Sequence, residues 1–407
     1  MILVLIIVIA TGGYLFDLIL EILNYRSRRT DIPAEVAAFY DKDKYLRSLE
    51  YHAAKTKFSF VSGGFSFLLS ISMLAFGGFG YIDALLRPHF QSEIVLALVF
   101  FAVILVGSDI LSLPFQLWST FVIEERFGFN KTTKATFIAD KVKGYIIGGI
   151  VGGALLSLLI ILVNRFGPGF WIWFAIVASL FVLFINMFYT SLILPLFNKL
   201  TILPDGELKS AIEGFSKKVN FPLDNIFVMD GSKRSSKANA FFSGIGSKKK
   251  IVLYDTLINN HTTEELVAVL AHEVGHFKKK HIILSLVLSV VQIFFVLFVL
   301  SLMIFNKDLS IALGGTQQAI HLNLIAFAIL FSPISGITGL LMSLLSRKNE
   351  FEADAYARET YSGVALGEAL KKLSVDTLSN LYPHPAYVFF YYSHPPLLAR
   401  LAALKRP

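Results

Sequence analysis

His272-Glu273-Val274-Gly275-His276 is the stretch of this chain whose residue types and spacing point to a defined chemistry. Two histidines four residues apart share one face of an α-helix, because the helix turns every 3.6 residues. Neutral imidazoles so placed can hold one Zn²⁺, and the glutamate beside the first can act as general base toward a water. The reaction such a set performs is hydrolysis of a peptide bond. The pattern is short, and the chain has nine histidines, so the surroundings must decide whether it is a site.

A catalytic zinc site takes three protein ligands and leaves one position open. The run Arg347-Lys348-Asn349-Glu350-Phe351-Glu352-Ala353-Asp354 offers the third. Glu350 and Asp354 share a helical face, so Glu350 can ligate while Asp354 accepts an N–H from a ligating histidine and fixes its tautomer. Glu352 points about 200° away from Glu350 on a helix and reads as a solvated side chain.

These residues need elements to carry them, and composition says which. The chain is 55% hydrophobic and only 16% charged, the balance of a multi-pass membrane protein. With no cysteine, disulfides, thiolate ligands and thiol nucleophiles are excluded. The net charge of +8 comes with no basic–aromatic nucleic-acid motif, and the positive-inside rule accounts for it. Seven apolar stretches are long enough to span a bilayer, near residues 2–23, 60–84, 93–117, 144–163, 170–195, 281–305 and 321–345. Eight Lys and Arg lie in 25–57 and five in 119–143, against one each (Arg87, Arg165, Lys307) in the alternate connections. The basic loops therefore face the cytosol, the N-terminus lies outside, and 196–280 and the tail from Ser346 are cytosolic. The first stretch lacks a basic leader and a small-residue cleavage site, so it reads as a retained span.

The chain divides into a five-span membrane region (1–195), a cytosolic catalytic segment (196–280), a two-span hairpin (281–345) and a cytosolic tail that completes the site (346–407). In the catalytic segment, Asp205 to Lys218 reads as an amphipathic helix, and Asn225–Met229 and Ile251–Tyr254 as strands with a hairpin arm, Ala238–Gly246, between them. Thr262-Thr263-Glu264-Glu265 is a capping box that starts the zinc-motif helix. That helix carries Leu266, Val269, Leu270 and Val274 on its apolar side and ends in Lys278-Lys279-Lys280 at a membrane boundary.

Several separate segments resemble one family, the integral-membrane CAAX prenyl proteases. They are Leu113-Pro114-Phe115 with Ser119 to Lys131, Pro195-Leu196-Phe197-Asn198-Lys199, Ser235 to Phe241, Ile251 to Leu257, the two zinc motifs, and Ser393-His394-Pro395-Pro396. The resemblance covers most of the chain. It implies a mainly α fold in which seven transmembrane helices enclose a chamber capped by a cytosolic, zincin-like α+β domain. It also implies a zinc metalloendopeptidase with one Zn²⁺ on His272, His276 and Glu350, with Glu273 as base and Asp354 in support. His394 would share the oxyanion with the metal. Arg400 would hydrogen-bond around the substrate, and Asn239, Ala240 and Phe241 would form an edge strand that pairs with it. The implied partners are membrane lipid and a protein or peptide, prenylated at a C-terminal CAAX sequence or similar. The absence of a long insertion between the sixth and seventh spans, and of a retrieval signal in Lys405-Arg406-Pro407, favours a bacterial inner membrane over the endoplasmic reticulum.

Two other readings bear on the same residues. A membrane quality-control metalloprotease of the same superfamily would have fewer spans. A transporter or channel would explain the spans and Asp109, but not Glu273, Glu350 and Asp354 together. Asp109, Asp17 and Glu21 inside spans fit a hydrated chamber, with pairing between helices as the alternative. His281 and His321 read as structural or interfacial, His384 as a loop residue, and the aromatic run Tyr387 to Tyr392 as packing or interfacial anchoring.

Overall fold

A computed structural model describes residues 1–221, 223, 225–243 and 250–406. The apolar stretches form long helices: α1 (Ile2–Arg26), α2 (Lys42–Ala75), α3 (Glu93–Trp118), α4 (Lys134–Phe166) and α5 (Phe170–Phe188). The segment that follows holds β1 (Leu200–Ile202), α6 (Glu207–Lys218), β2 (Asn225–Met229), β3 (Ala240–Ser243), β4 (Lys250–Tyr254) and α7 (Thr263–Lys278). The chain returns to long apolar helices in α8 (His281–Met303) and α9 (Ile320–Ala357). It closes with α10 (Gly363–Asp376), α11 (Pro385–Tyr391) and α12 (Leu397–Leu404).

Among the described residues, six continuous helical stretches are long and apolar enough to cross a bilayer, so this is a multi-pass membrane protein. One of them, Lys134–Phe197, contains both α4 and α5. They part at Gly167-Pro168-Gly169, where Pro168 has no N–H to give and Gly167 adopts φ +53°. Large apolar side chains such as Val8, Leu68, Ile150, Leu180, Val291 and Ile337 are exposed along these helices, as lipid-facing positions require.

The expected span at 60–84 is corrected. Its helix begins at Lys42 and stops at Ala75, and Gly78–Leu86 forms a separate short helix. Gly77 between them lies at φ +65°, and Gly80 N–H donates to the Leu313 carbonyl at 2.9 Å. A Cβ on Gly80 would sit 2.0 Å from the Gly314 carbonyl carbon, so the turn exists to let two backbones touch. The stretch expected to end at 345 instead continues as helix to Ala357, which carries Glu350 and Asp354 out on a rigid rod.

The segment between α5 and α7 forms one four-stranded sheet, ordered β1-β2-β4-β3. β2 and β4 run parallel; β1 and β3 are antiparallel to their neighbours, with Phe241 opposite Val252. The strands expected at 225–229 and 251–254 are β2 and β4, and β1 is an addition. β3 is an edge strand; the 244–246 end of the expected hairpin arm lies outside the described residues. The α7 side chains Leu266, Leu270 and Val274, four residues apart, are buried in a core with Ile212, Phe215, Ile226, Ile251 and Leu253. Burial of such a side chain stabilises by roughly 1.5–3 kcal/mol, so α7 is held by its apolar face and its polar face is fixed.

Candidate metal centre and active site

The start of α7 is set by the capping box: Glu265 N–H donates to Thr262 Oγ1 at 3.3 Å, and Thr262 N–H donates to Glu265 Oε2 at 2.9 Å. Lys372 of α10 adds an ion pair to Glu265 at 2.7 Å. About three turns on, α7 crosses α9 at Gly275. A Cβ there would meet Ala353 Cα at 3.0 Å and Tyr356 Cβ at 3.1 Å, so glycine lets the two helices touch and sets the separation of the histidines from Glu350.

That crossing brings three ligand side chains together. His272 Nε2 lies 3.2 Å from His276 Nε2 and 3.5 Å from Glu350 Oε2, and His276 Nε2 lies 3.2 Å from Glu350 Oε1. Ligand atoms about 2.0–2.1 Å from a tetrahedral zinc stand about 3.3–3.4 Å apart, so the two nitrogens and the carboxylate are spaced as one zinc site requires. Glu350 is buried, and the charges around its carboxylate are His272, His276 and the Arg400 guanidinium, whose Nη1 lies 3.3 Å from Oε2. These are the only three His, Asp or Glu side chains among the described residues that cluster as a metal site.

Asp354 Oδ1 accepts from His272 Nδ1 at 2.8 Å, which leaves His272 Nε2 as the lone-pair nitrogen. Arg400 grips the other side of Asp354: Nε donates to Oδ2 at 2.8 Å and Nη2 to Oδ1, while Nη1 lies 3.3 Å from Glu350 Oε2. Burial opposes charge on Arg400, but the Asp354 hydrogen bonds and the negative charges of Asp354, Glu350 and Glu273 together hold its pKa up. The structure thus places Arg400, buried, beside the ligand carboxylate Glu350 and its supporting neighbour Asp354.

Glu273 faces a cavity of about 580 Å³ with His276, His281, Phe241, Asn349 and Ser393. Burial pushes its carboxyl above the usual carboxylate range; the imidazoles of His272 and His276 oppose the rise and the Glu350 carboxylate adds to it. A carboxylate made more basic in this way suits proton abstraction near neutral pH. His394 reaches the site from a loop, its side chain 64% exposed and its Nε2 3.4 Å from Glu350 Oε1. Ser393 Oγ lies 2.9 Å from His394 Nδ1. Ala240 and Phe241 lie in the edge strand β3, and Asn239 precedes it, its carbonyl accepting from Tyr254 N–H at 3.1 Å.

Three residues gained roles that sequence reasoning missed. Arg347 donates to the carbonyls of Val388, Phe389 and Tyr392, the first at 3.0 Å, and so clamps α11 and the loop that delivers His394. Glu352, expected to be only solvated, lies with Oε2 3.0 Å from His281 Nε2, and His281 Nδ1 lies 3.1 Å from His276 Nδ1. Two other histidines are structural: His321 Nε2 contacts Asp83 at 2.8 Å, and His384 caps α11 through Ala386 N–H. Asp109 pairs with Lys141 at 2.7 Å, and Glu21 accepts from Thr56 at 3.0 Å, the inter-helix pairing alternative.

A bundle of membrane helices carrying a His-Glu-x-x-His helix, closed by a carboxylate from a second helix, defines a membrane metallopeptidase. Comparisons agree. Residues 21–199 match the family model described as CAAX prenyl protease N-terminal, five membrane helices, and residues 203–407 match peptidase family M48. CAAX prenyl protease 1 homologs from Oryza sativa and Homo sapiens are 36% and 34% identical, covering 96% and 94% of this chain and 94% and 91% of theirs. The crystal structure of S. mikatae Ste24p superposes with a TM-score of 0.94 at 32% identity, over 100% of this chain and 99% of that one. The chain belongs to the M48 CAAX prenyl protease family, and it is a membrane metalloendopeptidase acting on peptide or protein substrates.

Proposed function

We propose that the metal is a single Zn²⁺ on His272, His276 and Glu350, and that the enzyme cuts near the C-terminus of prenylated CAAX-type or similar membrane-associated substrates. The observation that carries the metal is the convergence of His272 Nε2, His276 Nε2 and the Glu350 carboxylate, with the two nitrogens 3.2 Å apart and each within 3.5 Å of a Glu350 oxygen. The substrate class rests on likeness to curated CAAX prenyl proteases over nearly the whole chain. Zn²⁺ held there supplies Lewis-acid polarisation of the scissile carbonyl and a lowered water pKa. Glu273 takes the proton of the attacking water and carries it to the leaving amine. His394 Nε2 donates to the carbonyl oxygen as negative charge develops on it. The free edge of β3 pairs with the extended peptide, and Phe241, on the cavity wall, sets its register beside Glu273. The long helices enclose, as seven spans, a hydrated chamber, with the sheet and α7 on the cytosolic side.

The test is mass spectrometry of a farnesylated CAAX peptide incubated with the purified protein, beside the same peptide without the lipid. Release of the C-terminal tripeptide is expected, with its loss on chelation and its return with one equivalent of Zn²⁺. Full activity in metal-stripped protein would overturn the zinc reading. Equal rates on both peptides would overturn the prenyl preference and leave a general endopeptidase.

A further inference from the structure

We infer that His281 and Glu352 form a proton-ordered relay that orients His276 toward the metal, the counterpart of the contact that Asp354 makes with His272. The inference rests on reading His272, His276 and Glu350 as a zinc site. His276 Nε2 faces His272 Nε2 at 3.2 Å and Glu350 Oε1 at 3.2 Å, so Nε2 is the lone-pair nitrogen and a neutral ring carries its proton on Nδ1. That N–H points at His281 Nδ1, 3.1 Å away. A ring nitrogen that accepts must be bare, so His281 carries its own proton on Nε2. That N–H in turn meets Glu352 Oε2 at 3.0 Å. Each link then has one donor and one acceptor, and no tautomer is left open.

The surroundings fix the relay in place. His281 is 5% exposed at the start of α8. Lys280, the residue before it, adopts φ +59°, a left-handed conformation that is costly for a residue with a side chain. It breaks the helix and turns His281 back onto His276. Glu352 stands on α9 between Glu350 and Asp354, and its second oxygen lies 3.7 Å from Lys348 Nζ. One helix, α9, therefore supplies a ligand and the final support of both histidines. His281 and Glu352 are positioning residues, because neither touches the cluster of ligand atoms except through His276.

Supports of this kind change metal affinity about 10–100-fold when removed. The test is Zn²⁺ affinity by competition with a chromogenic chelator, on the full-length protein in detergent, with thermal unfolding of the stripped protein as the fold control. His281→Phe keeps the ring volume and removes both nitrogens; it should lose about 10–100-fold in affinity with unchanged unfolding of the stripped protein. Glu352→Ala should fall in the same direction, and the double variant should be no weaker than His281→Phe alone, because both act through one path. His281→Gln, whose amide can accept from His276 and donate to Glu352, should recover much of the loss. Wild-type affinity in a folded His281→Phe, or additive losses in the double variant, would overturn the relay. If His281→Phe fails to fold, Glu352→Ala decides: wild-type affinity there overturns it. Failure of the wild-type protein itself to take up zinc would overturn the metal assignment instead.

Discussion

Glu350 and His394 divide the labour at the metal-facing end of the cavity, one buried and paired with Arg400 through Oε2, the other exposed with its Nε2 3.4 Å from Glu350 Oε1. His394→Ala should lower turnover by about 10²–10³-fold, the usual cost of one oxyanion donor, with metal content unchanged. Loss of metal from that variant would make His394 a ligand and contradict its assignment. The residues that share a helical face were legible in the sequence: His272 with His276 and Glu350 with Asp354 are each four apart, and helix geometry alone aligns them. His281 was not. Five positions along one helix turn a side chain by about 140°, away from His276, and the left-handed Lys280 that undoes this has no signature in a lysine run. Arg347 was hidden for another reason, since its carbonyl partners lie 41 to 45 residues away.

At the level of elements, the α7–α9 crossing decides whether the ligands meet. Gly275→Ala would press a methyl onto the Ala353 backbone. It should destabilise by roughly 1–3 kcal/mol and weaken zinc retention by moving Glu350, both measurable by thermal unfolding and chelator competition; unchanged values would show that the crossing has slack. The start of α7 makes a pH-dependent contribution. Burial raises the pKa of Glu265, but the Lys372 and Thr262 hydrogen bonds together with the Lys372 and His261 charges outweigh it, and the folded value lies below the ordinary one. A depressed carboxylate stabilises above its unfolded pKa of about 4.3 and loses that contribution as pH falls through the folded value. Glu265→Gln should therefore lower the unfolding temperature at pH 7, with the difference from wild type shrinking below about pH 4. A pH-independent difference would mean that the charge is idle. This capping box, β2 and β4 were legible because cap chemistry and apolar runs are local. β1, three residues long, is too short to show alternation, and the break at Gly77 depends on its contact with the distant Gly314.

At the scale of the molecule, apolar runs made the membrane class legible, while the depth to which α9 projects was not, because hydropathy ends at the span and the helix does not. The proposed sidedness is testable because the chain has no cysteine, so single cysteines report cleanly. A membrane-impermeant maleimide on intact cells should label Arg165→Cys and spare Lys279→Cys; the reverse pattern would invert the topology. The central claim is that this membrane scaffold assembles one zinc-dependent peptidase site in which Glu273 moves the proton. The most direct measurement takes zinc content and cleavage of a farnesylated CAAX peptide from the same preparation of Glu273→Gln. One zinc per chain with cleavage reduced by at least about 10²-fold is the predicted result. One zinc per chain with cleavage near the wild-type rate would contradict it.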